Sequence, residues 1–254
     1  MSVFEQYAPW YDLLYQDKDY VSEAAFVDER LRVQGTHKGT LLDLGCGTGV
    51  HALEFARRGW TVTGIDLSEP MIQRAKTRAS KDGAHASFRQ GDVCEPGPER
   101  DFDAVVSLFH VVSYQISPAK LEGLLKSAHA ALRPNGTLLF DYWYGGAVLA
   151  QGVETRVKEI ERDRLRVTRI ARSEHNEAEA IVQVNYTLFC EDKRTPQIQR
   201  IDESHRMRYW FPFEIEASLK AAGFEAIGHY AWLSTESPNS STWGAYSVAR
   251  KPAT

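Results

Sequence analysis

Cysteine is scarce in this chain: Cys46, Cys94 and Cys190 are the three among 254 residues. An odd, widely spaced set argues against a disulfide framework and fits a reducing compartment. None of the three has the spacing of a metal-ligand set, so no metal is expected. Long apolar runs are missing as well. The most apolar window, Thr137 to Ala150, is broken by Asp141 and two glycines and is too short to span a bilayer. The first residues carry no basic-then-apolar signal pattern, and the chain is expected in the cytoplasm with no membrane partner. Charge of one sign is missing too. Thirty Lys+Arg against 34 Asp+Glu leave a formal charge of −4, which gives no reason to expect nucleic acid as a partner. The basic cluster from Arg156 to Arg172 is interleaved with acidic residues, as on a solvated strand face. No internal repeat is present.

What is present is concentrated in Leu41-Leu42-Asp43-Leu44-Gly45-Cys46-Gly47-Thr48-Gly49. An apolar strand runs into three glycines at alternate positions, and a helical pattern follows. Residues without Cβ let backbone turn tightly and bring its N–H groups close to a ligand. The layout therefore points to a nucleoside-bearing cofactor. A dinucleotide fingerprint needs G-x-G-x-x-G, and here Val50 stands where the third glycine belongs. Asp43 beside the loop repels a pyrophosphate, whose usual seat is the helix N-terminus. The same carboxylate suits a cofactor with an ammonium and a sulfonium, S-adenosylmethionine. No Gly-Lys-Ser/Thr follows the loop, which excludes a phosphate-binding P-loop.

The rest of the first 146 residues alternates strand and helix. Strands are expected at Thr40–Leu44, Thr61–Leu67, Ala86–Val93, Phe102–Phe109 and Thr137–Trp143. Helices are expected over Asp19–Val33, over His51–Arg58 ending at Gly59, after the Ser68 cap, and from Ser117-Pro118 to Leu132. Near-continuous apolar strands read as buried on both faces, which predicts a parallel sheet. After Gly146 the rhythm changes to charged, period-two alternation. Antiparallel strands are expected at Arg156–Arg162, Arg164–Ser173, Glu179–Glu191 and Arg200–Trp210, with turns at Asp163, His175-Asn176 and Lys193–Pro196. A helix over Pro212–Ala222 and strands at Glu225–Ser234 and Trp243–Arg250 complete the chain.

Four landmarks stand in order: Asp43-x-Gly45-x-Gly47-x-Gly49, Asp66 ending the second strand, Gly91-Asp92-Val93 after the third, and Phe102-Asp103 opening the fourth. With them the chain resembles a class I S-adenosylmethionine-dependent methyltransferase. Within that class it is most similar to nucleotide-linked amino-sugar N-methyltransferases. The marks are Trp10-Tyr11-Asp12-Leu13 with Lys18-Asp19-Tyr20, Val106-Ser107-Leu108-Phe109 followed by Tyr114, Tyr142-Trp143-Tyr144, and the inserted strands. The sugar enzymes tend to carry Gly-Arg-Gly near the last strand. Here Thr242-Trp243-Gly244 stands instead, without the arginine that suits a phosphate.

The resemblance implies an α/β fold: a Rossmann-like, mostly parallel seven-stranded sheet with helices on both faces, plus an antiparallel insertion after the fifth strand. It divides the chain into an N-terminal helical lid (residues 1–38), a cofactor-binding domain (39–146 and 210–254) and the insertion (147–209), a substrate cover or interface. It implies S-adenosyl-L-methionine, leaving as S-adenosyl-L-homocysteine, and a monomer or homodimer acting on a small molecule. The implied cofactor set is Tyr11, Tyr20, Asp43, Gly45, Cys46, Gly47, Gly49, Asp66, Leu67, Met71, Gly91, Asp92, Val93 and Ser107. Asp66 follows the first glycine by about 20 residues, where a carboxylate accepts from ribose hydroxyls. Asp92 matches the class position for the adenine amino group. Asp43 suits the methionine ammonium. Met71 is read as an adenine contact or a core methionine. His110, Tyr114 and Tyr7 are the candidates near the chemistry, with His110 either a base or a structural histidine. Tyr142, Trp143, Arg206, Tyr209 and Trp243 are the candidate acceptor contacts, with Arg206 either meeting a phosphate or facing solvent. The expected reaction is methyl transfer to an amine, an amino sugar or its nucleotide conjugate. Its rivals are O-methyl transfer to a small hydroxyl or carboxyl compound, cofactor binding without turnover, and an NAD-type oxidoreductase.

Overall fold

A computed structural model describes residues 8–253 except 96, 99 and 196. Tyr7 lies outside the described residues.

The seven-stranded sheet is built from β1 (Thr40–Leu44), β2 (Thr61–Asp66), β3 (Ala86–Gln90), β4 (Phe102–Ser107), β5 (Leu132–Trp143), β10 (Glu225–Ala231) and β11 (Gly244–Arg250). Its order is β10-β11-β5-β4-β1-β2-β3, with β11 antiparallel to both its neighbours and the other contacts parallel. The expected architecture is thus present. Alternation explains the apolar strands. Leu42, Leu44, Val105, Leu138 and Phe140 pack on one face with α5 (Pro118–Ala131) and α7 (Pro212–Ala221). Leu41, Val106, Leu139 and Val248 pack on the other with α2 (Tyr20–Val33), α3 (Val50–Arg57) and α4 (Glu69–Asp82). A strand covered twice needs no polar phase.

β1 lies between β2 and β4, so sheet growth reverses direction beside it. The carboxyl ends of β1 and β4 flank that switch point, where open α/β sheets leave a crevice for ligands.

A second, four-stranded antiparallel sheet follows in the order β6-β7-β8-β9: Arg156–Arg162, Leu165–Asn176, Ile181–Asp192 and Ile198–Arg208. One face is apolar and packs on α1 (Ala8–Leu14). Ile160, Val167, Leu188, Cys190 and Ile201 meet Ala8, Tyr11 and Leu14 there. The intervening residues face outward and carry the charge, as period-two alternation requires.

Several expected boundaries move. β3 and β4 end before Gly91 and Leu108, because the chain leaves the sheet to form the crevice walls. Phe109 and His110 both take positive φ there, 66° and 67°. β5 begins at Leu132 rather than Thr137, with a register irregularity opposite Phe102–Ala104 and Asn135 at φ 64°. β7 runs through His175-Asn176, and the chain reverses at Glu177–Ala180, where Asn176 accepts from the Glu179 N–H. A short helix, α6 (Gly145–Gln151), occupies a stretch where two leading glycines hide the helical pattern.

Candidate active site

The glycine loop is shaped by three positive φ values: 84° at Gly45, 53° at Gly47 and 77° at Gly49. The three glycines serve different ends. A Cβ at Gly45 would stand 2.4 Å from Val111 Cγ2, and one at Gly49 2.9 Å from the Ala75 and Phe88 side chains. A Cβ at Gly47 would meet nothing within 4 Å. Gly45 and Gly49 are small for packing, whereas Gly47 borders open space. Its N–H donates to Asp66 Oδ2 at 2.9 Å, and Ser68 N–H donates to Oδ1 at 2.8 Å. Burial pushes the Asp66 carboxyl up, and those two N–H groups oppose the shift.

Asp43 is fully buried at the end of β1, and its Oδ2 has no hydrogen-bond partner among the described residues. Burial first, then the nearby Asp66 charge, push its carboxyl up to about 7. An orphaned acidic oxygen in that position is a seat for a cation. Asp92 accepts from Cys94 N–H at 2.8 Å, and Lys120 Nζ lies 3.5 Å from its other oxygen.

These groups border two adjoining cavities. The larger, of about 330 Å³, is lined by Gly45, Gly47, Asp66, Leu67, Met71, Asp92, Val93 and the turn after β4. The smaller lies between Asp43, Cys46, Tyr20 and His51. Tyr11, Gly45, Gly47, Leu108 and Phe109 border both. Beside the smaller one, Glu23 binds His51 Nε2 at 2.8 Å and also pairs with Lys18. Burial works against ionisation of Glu23, yet these two partners hold its carboxyl down to about 2.

A third cavity, of about 250 Å³, opens under the four-stranded sheet. Tyr15, His110, Trp143, Arg156, Tyr186, His205, Met207 and Trp243 line it, and Tyr11, Phe109 and Tyr114 are shared with the large cavity. The Trp143 and Trp243 rings sit 5.5 Å apart, with the Arg156 guanidinium 5.9 Å from Trp243. His110 Nδ1 is 2.9 Å from Asp141 Oδ2, an ion-pair distance without hydrogen-bond alignment, and the His110 backbone N–H donates to Asp141 Oδ1 at 2.8 Å.

Some expected residues lie elsewhere. Ser107 is buried and donates to Leu44 O at 2.8 Å, and Gly91 N–H donates to Asp66 O at 2.9 Å; neither lines a cavity. Cys46 borders the smaller cavity, but its thiol points toward Gly64 and Gly47 O, and burial raises its pKa well above the usual range. Tyr142 is a core residue packed under α5, one residue out of phase with cavity-lining Trp143. Tyr209 is buried beside His175, 3.2 Å from its Nε2. Arg206 sits on the outer face of β9, paired with Glu179 at 3.1 Å.

The alternation of β7–β9 could have found the residues that were missed. Arg169, Tyr186, His205 and Met207 share the inward phase with the apolar Val167, Leu188 and Ile201. Asp12 was also missed as the anchor of α1. It accepts from Thr48 Oγ1 at 2.7 Å and pairs with Arg78 at 2.8 Å. Among the described residues no His, Cys, Asp and Glu cluster is arranged to hold a metal ion, and no helix is long and apolar enough to cross a membrane.

A glycine-rich strand-to-helix loop with carboxylates after three successive parallel strands defines a protein that holds a nucleoside-bearing cofactor at its switch point. Residues 41–136 match a family model described as a methyltransferase domain. A dTDP-3-amino-3,4,6-trideoxy-alpha-D-glucopyranose N,N-dimethyltransferase of Streptomyces venezuelae is 30% identical over 220 residues, 85% of this chain and 89% of that protein. The Streptomyces fradiae dTDP-3-amino-3,6-dideoxy-alpha-D-glucopyranose N,N-dimethyltransferase is 28% identical over 85% of this chain and 82% of its own length. The crystal structure of DesVI from Streptomyces venezuelae superposes with a TM-score of 0.81 at 25% identity, over 100% of both chains. An S-adenosylmethionine-dependent methyltransferase from Clostridium acetobutylicum ATCC 824 has the same fold, with a TM-score of 0.84 at 20% identity over 98% of this chain and 99% of that one. The chain belongs to the S-adenosylmethionine-dependent methyltransferases. Its site suits that cofactor: Asp43 offers an ammonium an oxygen that has no hydrogen-bond partner among the described residues, and Gly47 leaves open space where a side chain would intrude.

Proposed function

We propose that the protein methylates the amino group of a small molecule, an amino sugar or its nucleotide conjugate. The carrying observation is the aromatic third cavity, which meets the large cavity at Tyr11, Phe109 and Tyr114. Two bound molecules would therefore touch at one opening. The likeness to enzymes named for dTDP-amino-sugar dimethylation supports an amine acceptor.

When bound, S-adenosylmethionine supplies a methyl group already activated by its sulfonium. The residues of the chain then bind and align. Asp43 and Tyr20 take the methionine end. Asp66 keeps spare lone pairs for the ribose hydroxyls, since each oxygen accepts only one N–H from the chain. Asp92, Leu67, Met71 and Val93 take the adenine. Trp143 and Trp243 hold the acceptor, and His110, steadied by Asp141, donates to or accepts from its hydroxyls. Arg156 and Arg169 supply positive charge for an anionic substituent, taking over from the arginine absent at Trp243. In this reading residues 8–38 and the 147–209 insertion cover a cofactor domain formed by 39–146 and 210–254.

The test is a screen of dTDP-amino sugars and simpler amines for S-adenosylhomocysteine release, with calorimetry of S-adenosylhomocysteine binding. Asp66→Ala is expected to weaken that binding at least tenfold, about 1.4 kcal/mol. Turnover of a hydroxyl or carboxyl compound with no amine accepted would overturn the acceptor assignment.

A further inference from the structure

Tyr114 ends the 3-10 turn Val111–Tyr114 that follows β4, at the opening shared by the cofactor and acceptor cavities. Its hydroxyl is 2.8 Å from His205 Nδ1. His205 comes from the C-terminal half of β9 and is 1% exposed. Its other nitrogen, Nε2, is 3.2 Å from Glu203 Oε2. The three side chains thus form a line from the cavity opening into the second sheet.

Chemistry fixes the direction of that line. An ionised carboxylate only accepts, so Nε2 carries the imidazole proton and donates it to Glu203. Nδ1 is then left with its lone pair and accepts from the Tyr114 hydroxyl. A carboxylate that sets the histidine tautomer, and a histidine that draws on a hydroxyl, form the logic of a nucleophile–base–acid triad turned to another use. Here Tyr114 lines both cavities, at the opening where a bound acceptor nitrogen would lose its proton.

The geometry points to a proton relay in which Tyr114, backed by His205 and Glu203, removes the proton released as the acceptor is methylated. It rests on the methyl-transfer reading above. The acceptor nitrogen gives its lone pair to the new N–C bond, and the electrons of the old C–S bond stay on sulfur. The N–H proton passes to Tyr114 Oη while the proton already on Oη passes to His205 Nδ1. The positive charge that leaves sulfur ends on the imidazolium, against Glu203. Tyr114 is the group that touches the acceptor; His205 and Glu203 are positioning residues that act through it.

Among the described residues, other titratable and charged groups stand near the imidazole. Tyr186 of β8 stands edge-on at 4.8 Å, and the Arg169 guanidinium stacks on Tyr186 at 5.4 Å. His110, paired with Asp141, and Arg156 face it across the cavity. Glu203 is the carboxylate bonded to the ring, so it governs the acid limb of the rate profile.

The test combines kinetics with a spectroscopic titration. In His205→Asn the side-chain oxygen still accepts from Tyr114 but takes up no proton. With dTDP-3-amino-3,6-dideoxy-alpha-D-glucopyranose as the probe, kcat is expected to fall about 100-fold with KM unchanged, and the acid limb of the kcat profile to disappear. In Glu203→Gln the imidazolium loses its counter-charge, so the acid limb is expected to move to lower pH. NMR titration of the His205 ring proton, in protein bound to S-adenosylhomocysteine alone, is expected to shift in the same direction. It needs neither an acceptor nor turnover, and it covers the case in which His205→Asn does not fold. His205→Asn with the wild-type kcat and acid limb, or a His205 midpoint unmoved by Glu203→Gln, overturns the relay. Wild-type turnover of a hydroxyl but not of the amine sinks the amine reading alone, since the same variants then report the relay on that hydroxyl.

Discussion

Gly45 and Gly47 both hold positive φ, yet an added methyl group would act differently at each. At Gly45 it collides with Val111, 2.4 Å away, on top of the left-handed strain. Gly45→Ala is expected to cost about 3 kcal/mol in urea unfolding. At Gly47 only the strain remains, about 1 kcal/mol. Gly47→Ala should therefore fold, with S-adenosylhomocysteine affinity at least tenfold lower, because the methyl enters the open cavity. Equal stability loss in the two variants would remove the distinction. Asp43 makes the opposite exchange, stability given up for binding. Its carboxyl titrates near 7 when folded and near 3.8 as an ordinary carboxylate. Between those values the folded form holds more protons than the unfolded one, so stability falls as pH rises from about 4 to 7 and the loss is complete above 7. Asp43→Asn is expected to stabilise the ligand-free protein by about 2 to 4 kcal/mol at pH 8, and hardly at all at pH 4. The wild type should bind S-adenosylhomocysteine more tightly at pH 8 than at pH 6, because the ligand's ammonium favours ionised Asp43; the variant should lose that dependence.

Among the elements, α1 is tied to the glycine loop and to α4 by one carboxylate, beside its apolar packing on the second sheet. Asp12 accepts from Thr48 beside the glycine loop and pairs with Arg78 of α4. Asp12→Ala is expected to cost about 1 kcal/mol, read as a roughly fivefold faster release of S-adenosylhomocysteine and faster amide exchange in α1. Unchanged release would mean that apolar packing alone seats the helix. The elements also show where the sequence was legible. Apolar runs bounded by glycine and proline placed the central strands, because strands buried on both faces have no other way to read. Helix α6 was hidden by Gly145-Gly146, whose low helix propensity is overridden when Ala147 and Val148 are buried. Tyr142 and Tyr209 were expected as acceptor contacts for their aromatic rings, and Arg206 for its charge, without regard to the phase of their strands. Side chains alternate along a strand, so Trp143 faces the cavity and Tyr142 the core, and Arg206 lies between the inward residues His205 and Met207. The cofactor half was legible because its chemistry lies in one local loop and at strand ends. The acceptor half is assembled from β9, the turn after β4 and α1, far apart in the chain, and pairing register is what brings them together.

At the scale of the molecule, one open sheet supplies the switch point and a second sheet closes over it. The two meet where Tyr114 reaches His205, and α1 lies wedged beside that junction. Ligand binding should therefore tie the parts together. Saturating S-adenosylhomocysteine, at about 100 times its Kd, is expected to add some 2.7 kcal/mol and to raise Tm by several degrees in a single transition. Two separate transitions would mean that the second sheet unfolds on its own. The ring of Tyr11 borders all three cavities, so one aromatic wall belongs to donor and acceptor chambers alike. On the proposed function, moving that wall to exchange the spent donor would uncover the acceptor as well. Where an amine receives two methyl groups, the second then comes from a fresh encounter rather than from the same visit. In a mass-spectrometric time course, the singly methylated compound should build up free in solution before the doubly methylated one appears.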